Sequence, residues 1–262
     1  KRSLAPVRPA MKKEDINNEG AKAAVSEDGA VKPKIGTLGE HTLHAALKRF
    51  FEPNESFHEV KYKGYVADIK RGDEIIEIQT RALNALREKL SAFLADCKVT
   101  VVHPIVREKW LCMMDAATGK IAGRRKSPKS VAPLEAFAEL YRIKMFLCDP
   151  NLTVCLVPVD VEEYRLLGRQ GRGRKKGAIR VQQVPTGIGA PIYLHSATDY
   201  AALLSGLPDE LTAAELATAK KLALGSAQIA LNVLCHVGAV SCTGKKGRAK
   251  LYKIRTDGEN DI

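Results

Sequence analysis

The chain has 262 residues, 42 of them lysine or arginine and 30 aspartate or glutamate, for a formal charge of +12. Hydrophobic residues make up 45%, enough for a sizeable core, which excludes wholesale disorder. The longest apolar runs, such as Val154-Cys155-Leu156-Val157, fall far short of the roughly 18 residues a membrane helix needs, so no membrane partner is expected. The positive excess points to a polyanion, most simply nucleic acid.

Residues 1–34 are rich in Lys, Glu, Asn and Ala, with prolines at 6, 9 and 33 and no sustained period, and they read as a disordered basic arm. A helix is expected from Thr37, with Leu38, His41, Thr42, Ala45, Ala46 and Phe50 at helical spacing, until Glu52-Pro53-Asn54 stops it. Three strands follow, over 57–62, 65–69 and 74–79, separated by turns at Lys63-Gly64 and Arg71-Gly72-Asp73. Residues 84–95 read as an amphipathic helix with Leu86, Leu90, Phe93 and Leu94 on one face. Val99-Thr100-Val101-Val102 reads as a buried strand.

Further along, 109–114 and 120–125 suggest a hairpin around Thr118-Gly119, 133–146 a helix and 153–159 a strand. Residues 165–180 carry Arg165, Arg169, Arg172, Arg174, Lys175, Lys176 and Arg180 with no acid, which suggests a mobile, strongly positive loop. From Ser196 three short helices are expected, at 198–204, 211–222 and 226–236. Thr212 and Glu215 form a capping box on the second. A hairpin at 239–254 then encloses the basic tip Gly244-Lys245-Lys246-Gly247-Arg248. The six cysteines form no CxxC pair and most sit in apolar runs. They read as buried thiols in a reducing cytoplasm.

The candidate chemistry lies in the first strands. A tight turn makes the second and third strands antiparallel neighbours, so Asp68 and Glu77 can converge, and Gln79 shares the face of Glu77. An acid flanked by isoleucines needs a partner. Two carboxylates with carbonyls and waters suit Mg²⁺ or Mn²⁺, and Glu40 on the preceding helix is a candidate third carboxylate.

Residues 36–104 resemble the PD-(D/E)xK nuclease superfamily, which has an acid on its second strand and (D/E)-x-K on its third. Asp68 matches the first acid, Glu77 the second and Glu40 the glutamate often found on the first helix, while Gln79 stands where lysine is usual. The resemblance implies a restriction-endonuclease-like mixed sheet flanked by helices and metal-dependent hydrolysis of phosphodiesters. In that reading Asp68, Glu77 and the Ile78 carbonyl hold the metal and Gln79 orients the attacking water. Arg81 and Lys61 are weaker candidates for phosphate contacts, and solvated surface charge is the plainer reading of both.

Residues 196–262 resemble winged helix-turn-helix domains, which implies a recognition helix at 226–236 offering Ser226, Gln228 and Asn232. Lys245, Lys246, Arg248 and Lys250 on the wing would then meet phosphates. The tract at 168–174 resembles arginine-glycine segments that bind RNA, which makes Arg169, Arg172, Arg174, Lys175 and Lys176 further nucleic-acid candidates.

The sequence thus suggests an α/β protein with a nuclease-like domain at 35–195 and a small winged-helix domain at 196–262. The expected activity is a cytoplasmic, Mg²⁺-dependent endodeoxyribonuclease acting on double-stranded DNA. A non-catalytic DNA-binding regulator on a degenerate nuclease fold, RNA binding and a homodimer stay open as alternatives.

Overall fold

Lys63 and Gly64 both adopt positive φ, at 48° and 81°, and close a tight hairpin between strands β1 (His58–Tyr62) and β2 (Tyr65–Arg71). Gly72, at φ 56°, turns β2 back into β3 (Glu74–Ile78). The turn fixes the register, in which Ile69 pairs with Ile76 and Lys70 with Ile75. β3 then runs parallel to the start of β4 (Lys98–Asp115), Glu77 beside Val101 and Ile78 beside Val102. A parallel pair needs a crossover. Here it is a 3-10 turn at Leu83–Leu86 leading into helix α2 (Arg87–Phe93).

The computed structural model of the chain describes residues 38–115, 118–128, 131–167 and 179–255. The expected arm at 1–34 lies outside these, as do Arg169, Arg172, Arg174, Lys175 and Lys176. The fold is mixed α/β. Eight strands bond in the order β1-β2-β3-β4-β6-β7, with β5 (Ile121–Lys126) on β4 and β8 (Ile192–Leu194) on β6 (Leu152–Leu167); β7 is Ile179–Ile188. A second, antiparallel sheet has the order β10-β11-β9, from β9 (Glu210–Thr212), β10 (Val240–Lys246) and β11 (Ala249–Ile254). Among the described residues no helix is long and apolar enough to cross a membrane.

The chain divides into two compact units. The larger comprises 51–105, 131–156 and 191–262, and the smaller the described residues up to Phe50 and those within 106–130 and 157–190. The larger unit has one continuous core. Leu83, Leu86, Leu90 and Phe93 of the crossover pack with Ile75, Val99 and Val101 of the sheet, and Leu231 and Leu234 of helix α6 (Leu224–His236) belong to the same cluster. Helices α4 (Ala197–Ala202) and α5 (Ala213–Ala219) begin at capping boxes, Ser196 with Asp199 and Thr212 with Glu215, as the sequence suggests for the second.

Some elements differ from expectation. The helix expected over 133–146 is a 3-10 turn at Pro133–Ala136, a four-residue helix α3 (Phe137–Leu140) and a 3-10 segment at Tyr141–Phe146 broken at Ile143. Its buried residues Leu134, Phe137, Leu140 and Ile143 recur every three positions, the 3-10 period rather than the α period. Within the expected loop at 165–180, β6 continues to Leu167 and β7 starts at Ile179, with Leu166 paired to Ile179, and the residues between lie outside the described ones. The short strand at 99–102 and the first hairpin strand at 109–114 are one strand, β4, which runs through Pro104. Helix α1 (Leu38–Phe51) carries Glu40.

Candidate functional site

The pairing of Ile69 with Ile76 puts Asp68 across from Glu77 on one face of the sheet. Both acids are drawn inward by their own bonds. The Ile78 amide donates to Asp68 Oδ2 at 2.8 Å, and the Asp68 amide donates weakly to Glu77 Oε1 at 3.4 Å. Glu77 is 1% exposed. Its other oxygen accepts from Lys89 Nζ at 2.9 Å, and the same ammonium donates to the Val66 carbonyl at 2.7 Å. Leu90 and Phe93 anchor α2 on the core, and Lys89, one position before Leu90, edges that buried face and reaches the strands. Burial and the adjacent Asp68 carboxylate push Glu77 up to about 7, a rise that Lys89 offsets only in part.

Gln79 extends the same face just past β3. Its amide N–H bonds the Val102 carbonyl at 2.9 Å, and its own carbonyl accepts from His103 Nδ1 at 2.8 Å. Burial holds the His103 imidazole below its ordinary value, consistent with a neutral ring donating from Nδ1. The Gln79 side-chain nitrogen donates to the Arg81 carbonyl at 2.6 Å, and its amide oxygen is an acceptor.

The structure therefore brings together Asp68, Glu77, Ile78 and Gln79, and adds Lys89, which the sequence reasoning missed. Glu40 lies in α1, but its side chain is outside the described ones. Lys61 and Arg81 are exposed. Among the described residues no group of three or more His, Cys, Asp and Glu is placed to hold a metal. The donor set is the acidic pair. Two like charges meet there, the ionisation of Glu77 suppressed by burial and then by Asp68, and a divalent cation relieves that repulsion. Mg²⁺ uses one or two carboxylates and takes its remaining oxygens from water and phosphate, so the pair fits such an ion.

The expected nucleic-acid residues near the C-terminus are mostly outward. On α6 Gln228 is exposed, Ser226 is half-buried, and Asn232 accepts from Lys144 Nζ at 3.0 Å. Lys245, Lys246, Arg248 and Lys250 are exposed on β10, β11 and their turn, and Lys246 bonds Glu215 at 2.7 Å. The smaller unit holds a buried acid of its own, Glu163 at 1% exposure, bonded to Lys109 at 3.1 Å and to Arg165 at 2.5 Å. Burial pushes this carboxyl up, but the hydrogen bonds from Arg165 and Lys109 prevail and its pKa is lowered.

A protein of Treponema pallidum (strain Nichols), described as "Uncharacterized protein", is 31% identical over 229 residues, covering 86% of this chain and 90% of that relative. No solved structure matches the chain. Residues 41–195, which contain the acidic pair, Lys89 and Glu163, match a family described as "Domain of unknown function (DUF8091)", and the chain belongs to that family.

Proposed function

We propose that this protein binds DNA and hydrolyses its phosphodiester bonds with a divalent metal ion. The carrying observation is the convergence of Asp68 and Glu77 on adjacent strands with Lys89 Nζ 2.9 Å from Glu77. The element order α1-β1-β2-β3-α2-β4 supports a PD-(D/E)xK reading, with Asp68 on the second strand and Glu77-Ile78-Gln79 closing the third. The order α4-β9-α5-α6-β10-β11, with β11 between β10 and β9, supports a winged-helix reading of the C-terminal part.

The Asp68 and Glu77 carboxylates and the Ile78 carbonyl would hold Mg²⁺ or Mn²⁺. When bound, the ion acidifies a water and neutralises charge on the scissile phosphate. Lys89 favours the ionised form of Glu77 and supplies the cation that glutamine at 79 does not. The Gln79 amide oxygen accepts a hydrogen from the attacking water, while His103 and Val102 hold the Gln79 backbone in place.

The test is conversion of supercoiled plasmid to nicked or linear DNA with and without Mg²⁺. Wild type is expected to cut only with metal. Asp68→Ala is expected to lose at least about 100-fold in rate, the scale of removing one electrostatic group at a transition state, while retaining DNA binding. Metal-independent binding with no cleavage in any metal favours instead a non-catalytic DNA-binding regulator, the reading that glutamine at position 79 supports.

A further inference from the structure

The two faces of the smaller unit's sheet carry different charge. β5 bonds only β4, all six of its residues are exposed, and its residues alternate between faces. On one face Arg124 lies 3.9 Å over the Trp110 ring and bonds Glu162 at 2.9 Å, and Lys126 bonds Glu108 at 2.6 Å. Two cations there meet two acids, and the face is neutral.

The other face is not balanced. Arg125 pairs in register with Leu111, which shares a face with Lys109. Lys109 and Arg165 both bond Glu163, so these groups lie on one side, whereas Asp160, the partner of Arg107, is three positions before Glu163 on β6 and falls on the side of Glu162. Arg180 on β7 stands directly across from Arg165. Four cations, Lys109, Arg125, Arg165 and Arg180, thus face one acid, Glu163. Among the described residues Arg125 and Arg180 have no carboxylate partner, and both are exposed.

Edge protection explains a charge or two on β5. It does not explain Arg180 placed opposite Arg165, a like-charge pair that is unfavourable, because the one acid there, Glu163, is already shared by Arg165 and Lys109. Arg125 and Arg180 sit on opposite edge strands of β5-β4-β6-β7, three strand spacings or about 14 Å apart. That is close to the roughly 12 Å width of the B-DNA major groove, and arginine is the side chain best shaped for phosphate.

We propose that this face docks the phosphodiester backbone of duplex DNA, with Arg125 and Arg180 as phosphate ligands on either side of a groove. The proposal deepens the DNA-binding part of the function above and is independent of cleavage. The experiment is fluorescence anisotropy of a labelled duplex in EDTA, with affinity followed against salt concentration. The double variant Arg125→Gln/Arg180→Gln is expected to lower the slope of log K against log salt by about 2, near 0.9 per lost contact. The pair Arg124→Gln/Lys126→Gln on the neutral face is the control, and it is expected to leave the slope within about 0.5 of wild type.

An unchanged slope in the Arg125/Arg180 variant, an equal fall in the control, tighter binding of RNA or single strands than of duplex, or no binding by wild type overturns the proposal. A wild type that shows the slope change but never cuts leaves it standing and removes only the nuclease reading. A wild type that cuts while the slope is unchanged does the reverse.

Discussion

Glu77 and Glu163, one in each unit, are each 1% exposed, and each has a lysine within about 3 Å. They share a residue type and a degree of burial, and their surroundings pull their charge in opposite directions. Glu163 stands between Lys109 and Arg165, and two cations hold it ionised in spite of burial. Glu77 has one cation, Lys89, and an acid neighbour, Asp68, and it is pushed up to about 7. Burial raises both carboxyls, and the balance of nearby charges then decides whether a hidden carboxylate is a fixed structural ion or a group whose charge is left unsettled. An unsettled buried acid beside a second acid is what a cation site provides for.

The comparison can be broken by neutralising each acid in turn. Glu163→Gln removes the anion between two cations and is expected to cost about 3 kcal/mol at pH 8, read by denaturant unfolding. The folded pKa of Glu163 is lowered, so its stabilisation is present above the ordinary glutamate value and fades as pH falls through the folded value. The cost of the variant should shrink on acidification. A cost that is the same at pH 3 and pH 8 contradicts the fixed-ion role.

Glu77→Gln should do the opposite, with a smaller effect. The folded pKa of Glu77 is raised, so its contribution is fully present below the ordinary glutamate value and is lost as pH rises through about 7. The loss corresponds to about 3 kcal/mol, reduced in the variant comparison because glutamine forgoes the ion pair with Lys89. Wild type should therefore lose stability relative to Glu77→Gln between pH 5 and pH 8, leaving the variant ahead by about 1–2 kcal/mol at pH 8. Parallel stability curves for the two proteins contradict the poised state of Glu77.

Part of this was legible in the sequence. The glycine turn at 72 and strand alternation suffice to place Asp68 opposite Glu77, because antiparallel register is local. Lys89 was not legible as a site residue. Its reach depends on how α2 rolls on the sheet, which the packing of Leu90 and Phe93 decides. Glu163 was hidden for a different reason. Its strand continues through the charged stretch at 162–165, where ion pairs across the strands and along β6 replace the apolar alternation that marks a strand. Pro104, Pro158 and Pro185 lie inside strands, where proline ordinarily argues against a strand, and Pro185 falls at a register shift near Asp160 and Val161 that accommodates it. The broken helix at 133–146 shows the same lesson at shorter range: the stretch is helical in character, and only the packing of Leu134, Phe137, Leu140 and Ile143 reveals the three-residue period.

The central claim is that the poised pair, and not the fixed one, takes a divalent ion. Mn²⁺ titrated into the protein at pH 8 and followed calorimetrically tests it directly. Wild type and Glu163→Gln are predicted to bind one ion per chain, and Asp68→Ala and Glu77→Gln, with their fold verified by thermal unfolding, to bind none. No Mn²⁺ binding by wild type, or binding retained by both Asp68→Ala and Glu77→Gln, would contradict the account.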